Sequence, residues 1–239
     1  MGSFDTEWSA WARRFDHAEQ DLYTLYSLRY MARVVLGVAA HADVVKYPAL
    51  DVYLHRTAVE TICIEIRREV DSKDTTSGLR HTLQRLIDCP QLASRRRFQD
   101  LYTASFPEAD VDIDAAFDRF AAPGAAYIDV GRVAADLARL QEAAKPVRDF
   151  VNKRVAHRDL TKRPPLDEAA IDAALAELSR VRRRYFGLRN PGVLLADIQP
   201  VVPLDFVNAF RRPWLSIEGR LPDWLPPLLR HEMPSTDEG

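Results

Sequence analysis

The feature that most constrains the fold is the spacing of apolar residues, which recur at three- and four-residue intervals in segment after segment up to Tyr185. This helical periodicity places the apolar side chains of each segment on one face. It predicts helices over about residues 6–45 (as one helix or two), 49–70, 77–89, 92–105, 112–120, 129–162 and 167–187. The expected fold class is therefore all-α, a helical bundle.

Local signals predict where several of these helices begin and end. Asp5 and Asp129 are expected to be N-caps, because an aspartate side chain can accept a hydrogen bond from the first turn. Pro146 lies inside the helix that follows Asp129, so a kink or break is expected near Lys145. Gly187 is expected to close the last helix.

The texture of the chain changes after residue 190. Eight of the 15 prolines lie between Pro191 and Pro234, together with Trp214 and Trp224. A continuous helix is excluded there, because proline removes a ladder hydrogen bond and clashes with the preceding turn. We expect a helical domain at residues 1–189 and a proline-rich, mostly irregular appendage at residues 190–239. Short strand pairing is expected near residues 198–204, with the aromatic side chains packed on the bundle.

Charge and hydropathy limit the class of protein. The net charge of −2 gives no global signal of nucleic-acid binding, and no apolar run reaches the length of a membrane span. The first residues carry Asp5 and Glu7 where a secretory signal would be basic and then apolar. Two cysteines are too few for a disulfide framework. We expect a cytoplasmic protein that uses no cofactor.

Arginine supplies 28 of the 33 basic residues, with clusters at residues 95–97 and 180–184. Guanidinium groups suit bidentate phosphate contacts. Nearby aromatic residues, Tyr102 and the pair Tyr185 and Phe186, would either stack on bases or anchor the core. The alternative to phosphate binding is that the arginine content reflects a GC-rich genome, which encodes arginine in place of lysine.

Two groups of side chains suggest acid–base or metal chemistry, but helical spacing argues against both. The first is the carboxylate group of Glu60, Glu65 and Glu69. These lie opposite the apolar stripe of Val52, Val59, Ile62, Ile66 and Val70, so a solvated face is the better interpretation. The second is the group of His41, Asp43, Asp51 and His55. It has no second histidine at a ligand spacing, and we expect no metal site.

The segment with the most chemical content is residues 147–159, which read VRDFVNKRVAHRD. In a regular helix Lys153 and Arg154 share a face with His157, and Asp149 extends that polar stripe. Flanking cations favour the neutral form of a histidine, which could then act as a general base. Alternatively, His157 ends the helix and bonds its last carbonyl groups.

This string resembles the signature helix of the HEPN superfamily, in particular its AbiU-type abortive-infection branch. Residues 56–74 and the short helix at Leu79 are similar to the second helix and acidic loop of that branch, and the resemblance covers about residues 22–185. It implies an all-α bundle that forms a homodimer. In active members it also implies a metal-independent ribonuclease, in which a histidine and an arginine of each protomer face each other.

The resemblance assigns roles to residues of this chain. His157 and Asn152 match the motif, so His157 would be the base and Asn152 would orient it or a substrate phosphate. Arg154 and Arg148 are nearby candidates for a displaced cation, and Arg154 is the one expected to be catalytic. The residues expected to bind RNA phosphate are Lys153, Arg158 and Arg148. The family pattern places its arginine four to six intervening residues before the histidine. Val151 stands where the AbiU-type pattern puts it, and we expect Val151 to belong to the apolar stripe of the helix.

Two interpretations of function follow. In the first, the chain binds or cleaves RNA in bacterial phage defence or a toxin–antitoxin setting, with RNA, a second copy and an antitoxin or defence protein as partners. The departure at Val151 leaves binding without cleavage as one form of it. In the second, the chain is a non-catalytic helical interaction or dimerisation module whose appendage docks a partner through Trp214 and Trp224.

Overall fold

A computed structural model describes residues 3–41, 48–72, 78–108, 111–156, 166–193, 195 and 197–200. Within these ranges the regular elements are helices and no strand is formed. The α-helices are α1 (Ser3–His41), α2 (Pro48–Val70), α3 (Leu79–Asp88), α4 (Arg95–Ser105), α5 (Ile113–Phe117), α6 (Val130–Ala143), α7 (Lys145–Phe150) and α8 (Glu168–Arg189). A 3-10 turn spans Pro90–Leu92, and a π-helical segment spans Val151–Ala156. The predicted all-α fold class is confirmed.

Helix α1 is one continuous element of 39 residues, about 58 Å long at the standard rise per residue. The prediction that Asp5 is its N-cap is wrong, because the helix already begins at Ser3. Asp5 instead lies in the first turn, where a negative charge complements the positive end of the helix dipole. None of the described helices combines the length and apolarity needed to cross a membrane.

The core forms where α1 packs along α2, α3 packs on α6, and α6 packs on α8. Helix α1 also contacts α3 and α8, so it borders much of this core. The largest fully buried apolar side chains are Trp11, Phe15, Leu22, Leu25, Ile62, Ile66, Leu79, Leu83, Leu86, Phe117 and Tyr185. They recur at the helical spacing seen in the sequence, which is why the fold class could be predicted.

The apolar stripe of α2 is only partly buried. Ile62, Ile66 and Val70 lie in the core as expected. Val52 was expected on the same stripe, but it is 63% exposed, and its neighbour Tyr53 is 64% exposed. The first turns of α2 therefore present apolar side chains that the described part of the chain does not cover.

The break predicted near Lys145 is confirmed. Helix α6 ends at Ala143, and α7 starts at Lys145 with Pro146 in its first turn, where the missing proline N–H costs nothing. The predicted cap is also confirmed, since the Asp129 side chain accepts a hydrogen bond from the N–H of Arg132 at 3.2 Å.

Helix α8 begins as expected but does not end as expected. The Asp167 side chain caps it by accepting from the N–H of Ala169 at 2.9 Å. The prediction that Gly187 closes it is wrong, because the helix continues to Arg189. Gly187 lies inside the last turns, where a Cβ would be in ordinary contact with the Phe120 ring.

Beyond α8 the described residues are irregular and pack on the bundle. Ile198 joins the hydrophobic core, and Asp197 accepts from Arg183 at 2.8 Å. Residues 197–200 form no strand. Residues 201–239, with Trp214, Trp224 and the rest of the proposed strand pairing, lie outside the described residues. The domain boundary after residue 189 stays a prediction.

Candidate functional site

The signature segment forms α7 and the π-helical segment, and its apolar side faces the core. Val147, Phe150 and Val151 are buried, and both elements pack against α2. The prediction that Val151 belongs to the apolar stripe is confirmed, since it is 2% exposed. The position at which the family pattern would place an arginine is thus a core position of this bundle.

The polar side chains of the segment that the structure describes lie on its other side. Arg148, Asp149 and Asn152 are half-buried, and Lys153 is exposed. The segment therefore separates an apolar face from an accessible face that carries the polar residues of the motif.

The π-helical geometry changes how the motif residues align. The expectation that Asp149, Lys153 and His157 form one stripe assumed a regular α-helix. A π-helix bonds i to i+5, so the four-residue spacing no longer stacks side chains directly from Val151 onward. Such turns occur frequently at functional sites. Here the turn spans the residues between Phe150 and His157, where the motif places its polar groups.

Only part of the predicted site lies within the described residues. Asn152, Lys153 and Arg148 are described, and Asn152 and Lys153 are adjacent in the π-helical segment. Arg154 belongs to the same segment, but its side chain is outside the description. His157 and Arg158 lie outside the described residues, so the arrangement of the histidine and its cations stays a prediction.

A buried ionic cluster around Asp136 was missed by the sequence reasoning. The Asp136 carboxylate on α6 is fully buried and accepts from Arg180 at 2.9 Å, Arg184 at 2.9 Å and the Tyr185 hydroxyl at 3.0 Å, all on α8. Arg139, one turn along α6, donates a further short bond. Burial raises the pKa of Asp136, but these hydrogen bonds lower it more, so the net pKa is below its usual value.

The arginines of the basic part of α8 therefore mostly bind carboxylates within the protein. Arg182 is fully buried and donates to Glu19 at 2.6 Å and to the Tyr23 hydroxyl at 2.8 Å. Its guanidinium lies over the Tyr23 ring, 4.8 Å from the ring centroid. Arg180 and Arg184 are bound to Asp136, as described above. These arginines tie α8 to α1 and α6, which explains them without a phosphate ligand.

The aromatic candidates for base stacking are core residues. Tyr102 and Tyr185 are buried, and Tyr102 packs on Phe106 with the ring centroids 5.6 Å apart. Burial, the main cause, and the nearby charge of Asp136 raise the pKa of Tyr185. The alternative that these rings anchor the core is the one the structure supports.

The arginine cluster at residues 95–97 is divided between structure and surface. Arg95 donates to Asp118 at 2.5 Å and to Asp114 at 3.0 Å, and Arg97 donates to Asp5 at 2.9 Å. Arg96 is exposed and forms no ion pair with any residue that the structure describes. All three line an open cavity of about 580 Å³ beside α4.

Glu69 was expected on a solvated face, and that expectation is wrong. It is 3% exposed, and its Oε2 atom accepts from the N–H of Leu79 at 3.0 Å. It thereby caps α3, whose own preceding residue, Gly78, offers no side-chain acceptor. Burial raises the pKa of Glu69 to about 7. The other two carboxylates of that group, Glu60 and Glu65, do form surface ion pairs, with Arg56 and Arg68.

The candidate metal ligands are not brought together where the structure describes them. His55 is exposed, and no group of three or more ligating side chains occurs among the described residues. Asp43 and the side chains of His41 and Asp51 lie outside the description.

Comparison of the chain with protein-family models, with curated proteins and with solved structures finds no match.

Proposed function

We propose that this chain is a HEPN-like protein that binds or cleaves RNA, through the accessible face of residues 148–159. The observation that carries the proposal is the division of the signature segment, with Val151 in the core and Asn152 and Lys153 on the other side. The setting proposed for it is bacterial phage defence or a toxin–antitoxin pair, with the chain as a homodimer.

Each residue has a proposed role. His157 is the base or RNA contact, Asn152 orients it or a phosphate, and Arg154 is the cation that stabilises phosphate charge. Lys153, Arg158 and Arg148 bind phosphate and position the strand without reading its sequence. Because Val151 replaces the motif arginine, cleavage depends on Arg154 as the substitute cation, whereas binding of RNA does not need the motif arginine.

The test is incubation of the purified full-length protein with labelled RNA in EDTA, because the proposed cleavage needs no metal. Cleavage should be reduced about 100-fold or more in His157→Ala, in line with the typical contribution of a general base, and RNA binding should weaken if His157 is a binding contact. His17→Ala, which removes an exposed histidine of α1, is the matched control. If His157→Ala leaves RNA cleavage, RNA binding and cellular toxicity unchanged, the proposed function is wrong.

A second candidate function is a helical interaction module, favoured by the exposed Val52 and Tyr53 at the start of α2. Adjacent exposed apolar side chains commonly mark the surface that a partner or a second copy covers. Light scattering during size exclusion would compare the mass of the wild type with that of Val52→Lys. A loss of the dimer in the variant, with RNA binding absent from both proteins, would favour this function over the first.

A further inference from the structure

A second surface of the molecule, remote in sequence from the signature segment, combines features suited to single-stranded RNA. It is the cavity between the first turn of α4 and the turn at residues 124–127, named here the α4 cavity. Its volume of about 580 Å³ lies within the range of small-ligand sites. Its lining residues are Gln91, Ser94, Arg95, Arg96, Arg97, Gln99, Gly124, Ala126 and Tyr127.

Hydrogen bonds between α4 and the turn at residues 124–127 hold the walls of the α4 cavity in place. The N–H of Arg95 donates to the carbonyl of Ala126 at 2.8 Å, and the N–H of Ile128 donates to the carbonyl of Ala93 at 3.1 Å. These bonds fix residues 126–128 beside α4. The guanidinium of Arg95 donates to the carbonyl of Ala125 at 2.9 Å, which fixes the same turn from its other side.

Charge in the cavity is concentrated on one side chain. The carboxylates that bind Arg95 and Arg97 offset their charges, and Arg97 also lies over the Trp8 ring. Arg96 has no ion-pair partner among the described residues, and no carboxylate is among the described residues that line the cavity. One accessible guanidinium is suited to one phosphate group.

The cavity also offers an aromatic surface and amide groups. The Tyr127 side chain is 47% exposed, whereas most aromatic side chains of α4 and α5 are buried. Aromatic rings bind the faces of unpaired bases with little preference for sequence. Gln91 provides donors and an acceptor that can bond base edges. The Gln99 amide nitrogen already donates to Asp114 at 3.0 Å, so Gln99 offers its amide oxygen as an acceptor.

We propose that the α4 cavity binds one nucleotide of a single-stranded RNA, with the base stacked on Tyr127 and the phosphate bound by Arg96. Duplex RNA is excluded because its bases are not free to stack on a side chain. The inference rests on the proposed function, since it adds a second contact for the same substrate class away from residues 148–159.

The test uses the full-length protein and a fluorescein-labelled, 2′-O-methylated single-stranded RNA of about 12 nucleotides, comparable to single-strand site sizes. Methylation blocks the hydroxyl that metal-independent cleavage would use. Fluorescence anisotropy gives the affinity over a series of salt concentrations. Tyr127→Ala should weaken binding about fivefold or more, whereas Tyr127→Phe should bind like the wild type. Arg96→Gln should weaken binding and lower the salt slope by about 0.7.

Matched controls make the outcomes decisive. Arg14→Gln removes an exposed arginine that does not line the cavity and should bind like the wild type. Circular dichroism confirms that each variant is folded. If the wild type binds RNA and both cavity variants bind within twofold of it, the inference is overturned while the proposed function stands. Equal competition by duplex RNA overturns the stacking of a free base, and absence of any RNA binding by the wild type overturns both.

Discussion

Glu69 offers a sharp test of the packing, because it is an ionisable group held inside the protein at the junction of α2 and α3. Its carboxylate is 3% exposed and accepts from the N–H of Leu79 at 3.0 Å. Burial raises its pKa most, and repulsion from Asp21 and Glu65 adds to this, while the bond from Leu79 and the charge of Arg68 oppose it. The resulting pKa is about 7, against an ordinary value of 4.5.

The sign of the pH dependence follows from the direction of this shift. The folded state holds the Glu69 proton more tightly than the unfolded state does, so protonation favours folding. The contribution is complete below about pH 4.5 and is lost as the pH rises through about 7. The rise in the pKa of Glu69 from 4.5 to about 7 corresponds to about 3 kcal/mol.

Glu69→Gln removes the titration and keeps an amide oxygen that can accept the same Leu79 N–H. The free energy of unfolding of wild type and variant is measured by urea denaturation, followed by circular dichroism, at about pH 5 and about pH 8. The variant should gain about 2 to 3 kcal/mol relative to the wild type between the two values. Taking the difference between the proteins at each pH cancels the titration of other groups.

Glu60→Gln is the matched control, because Glu60 lies on the same helix, forms a surface pair with Arg56 and is not among the charges that shift the pKa of Glu69. Its effect should change by less than about 0.5 kcal/mol between the two pH values, as expected for an exposed pair. The reasoning is refuted if the effect of Glu69→Gln is also the same at both. Glu69 would then be ionised in the folded state at about pH 5, which a desolvated carboxylate would not be.

Two further predictions concern the bundle itself. Asp136→Asn should lower the free energy of unfolding by about 1.5 to 3 kcal/mol, because Arg180 and Arg184 lose their charge-assisted hydrogen bonds but keep partly solvated guanidinium groups. Glu142→Gln, at an exposed site of the same helix, should change it by less than about 0.5 kcal/mol in the same urea titration; equal effects would contradict the ionic role of Asp136. Gly37→Ala should raise the melting temperature, since nothing lies within 4 Å of the added Cβ and alanine favours the helix by about 0.5–1 kcal/mol. Gly78→Ala should lower it, because the Cβ would meet the carbonyl oxygens of Arg68 and Glu69 at 2.7 Å; the same direction of change in both variants would count against the packing of α3 on α2.

The helices could be predicted because the information lies within each segment. The apolar periodicity of α2, the break at Pro146 and the caps at Asp129 and Asp167 depend on residues a few positions apart. Ends that depend on distant contacts were missed. Gly187 did not end α8, because it does not adopt the left-handed backbone conformation of a helix-closing glycine and the helix continues to Arg189.

The fate of charged residues could not be predicted for the same reason. Asp136 and Arg184 are 48 positions apart, and the sequence alone does not bring them within hydrogen-bond distance. Glu69 shares its helix with Glu65, and helical spacing put both on one polar face. The start of α3, ten residues later, covers Glu69 and leaves Glu65 at the surface. Whether an arginine or a carboxylate is available to a ligand is thus decided by tertiary packing.

Tertiary packing also determines what the position of the missing motif arginine can hold. Val151, the first residue of the π-helical segment that packs on α2, is 2% exposed. An arginine at this position would have to bury an unpaired charge, at a cost of several kcal/mol, or pull the helix away from the core. Under the proposed function, the cation that contacts RNA must therefore come from another position of the motif. The arginines among the described residues of the signature segment are Arg148, which is half-buried, and Arg154, in the π-helical segment.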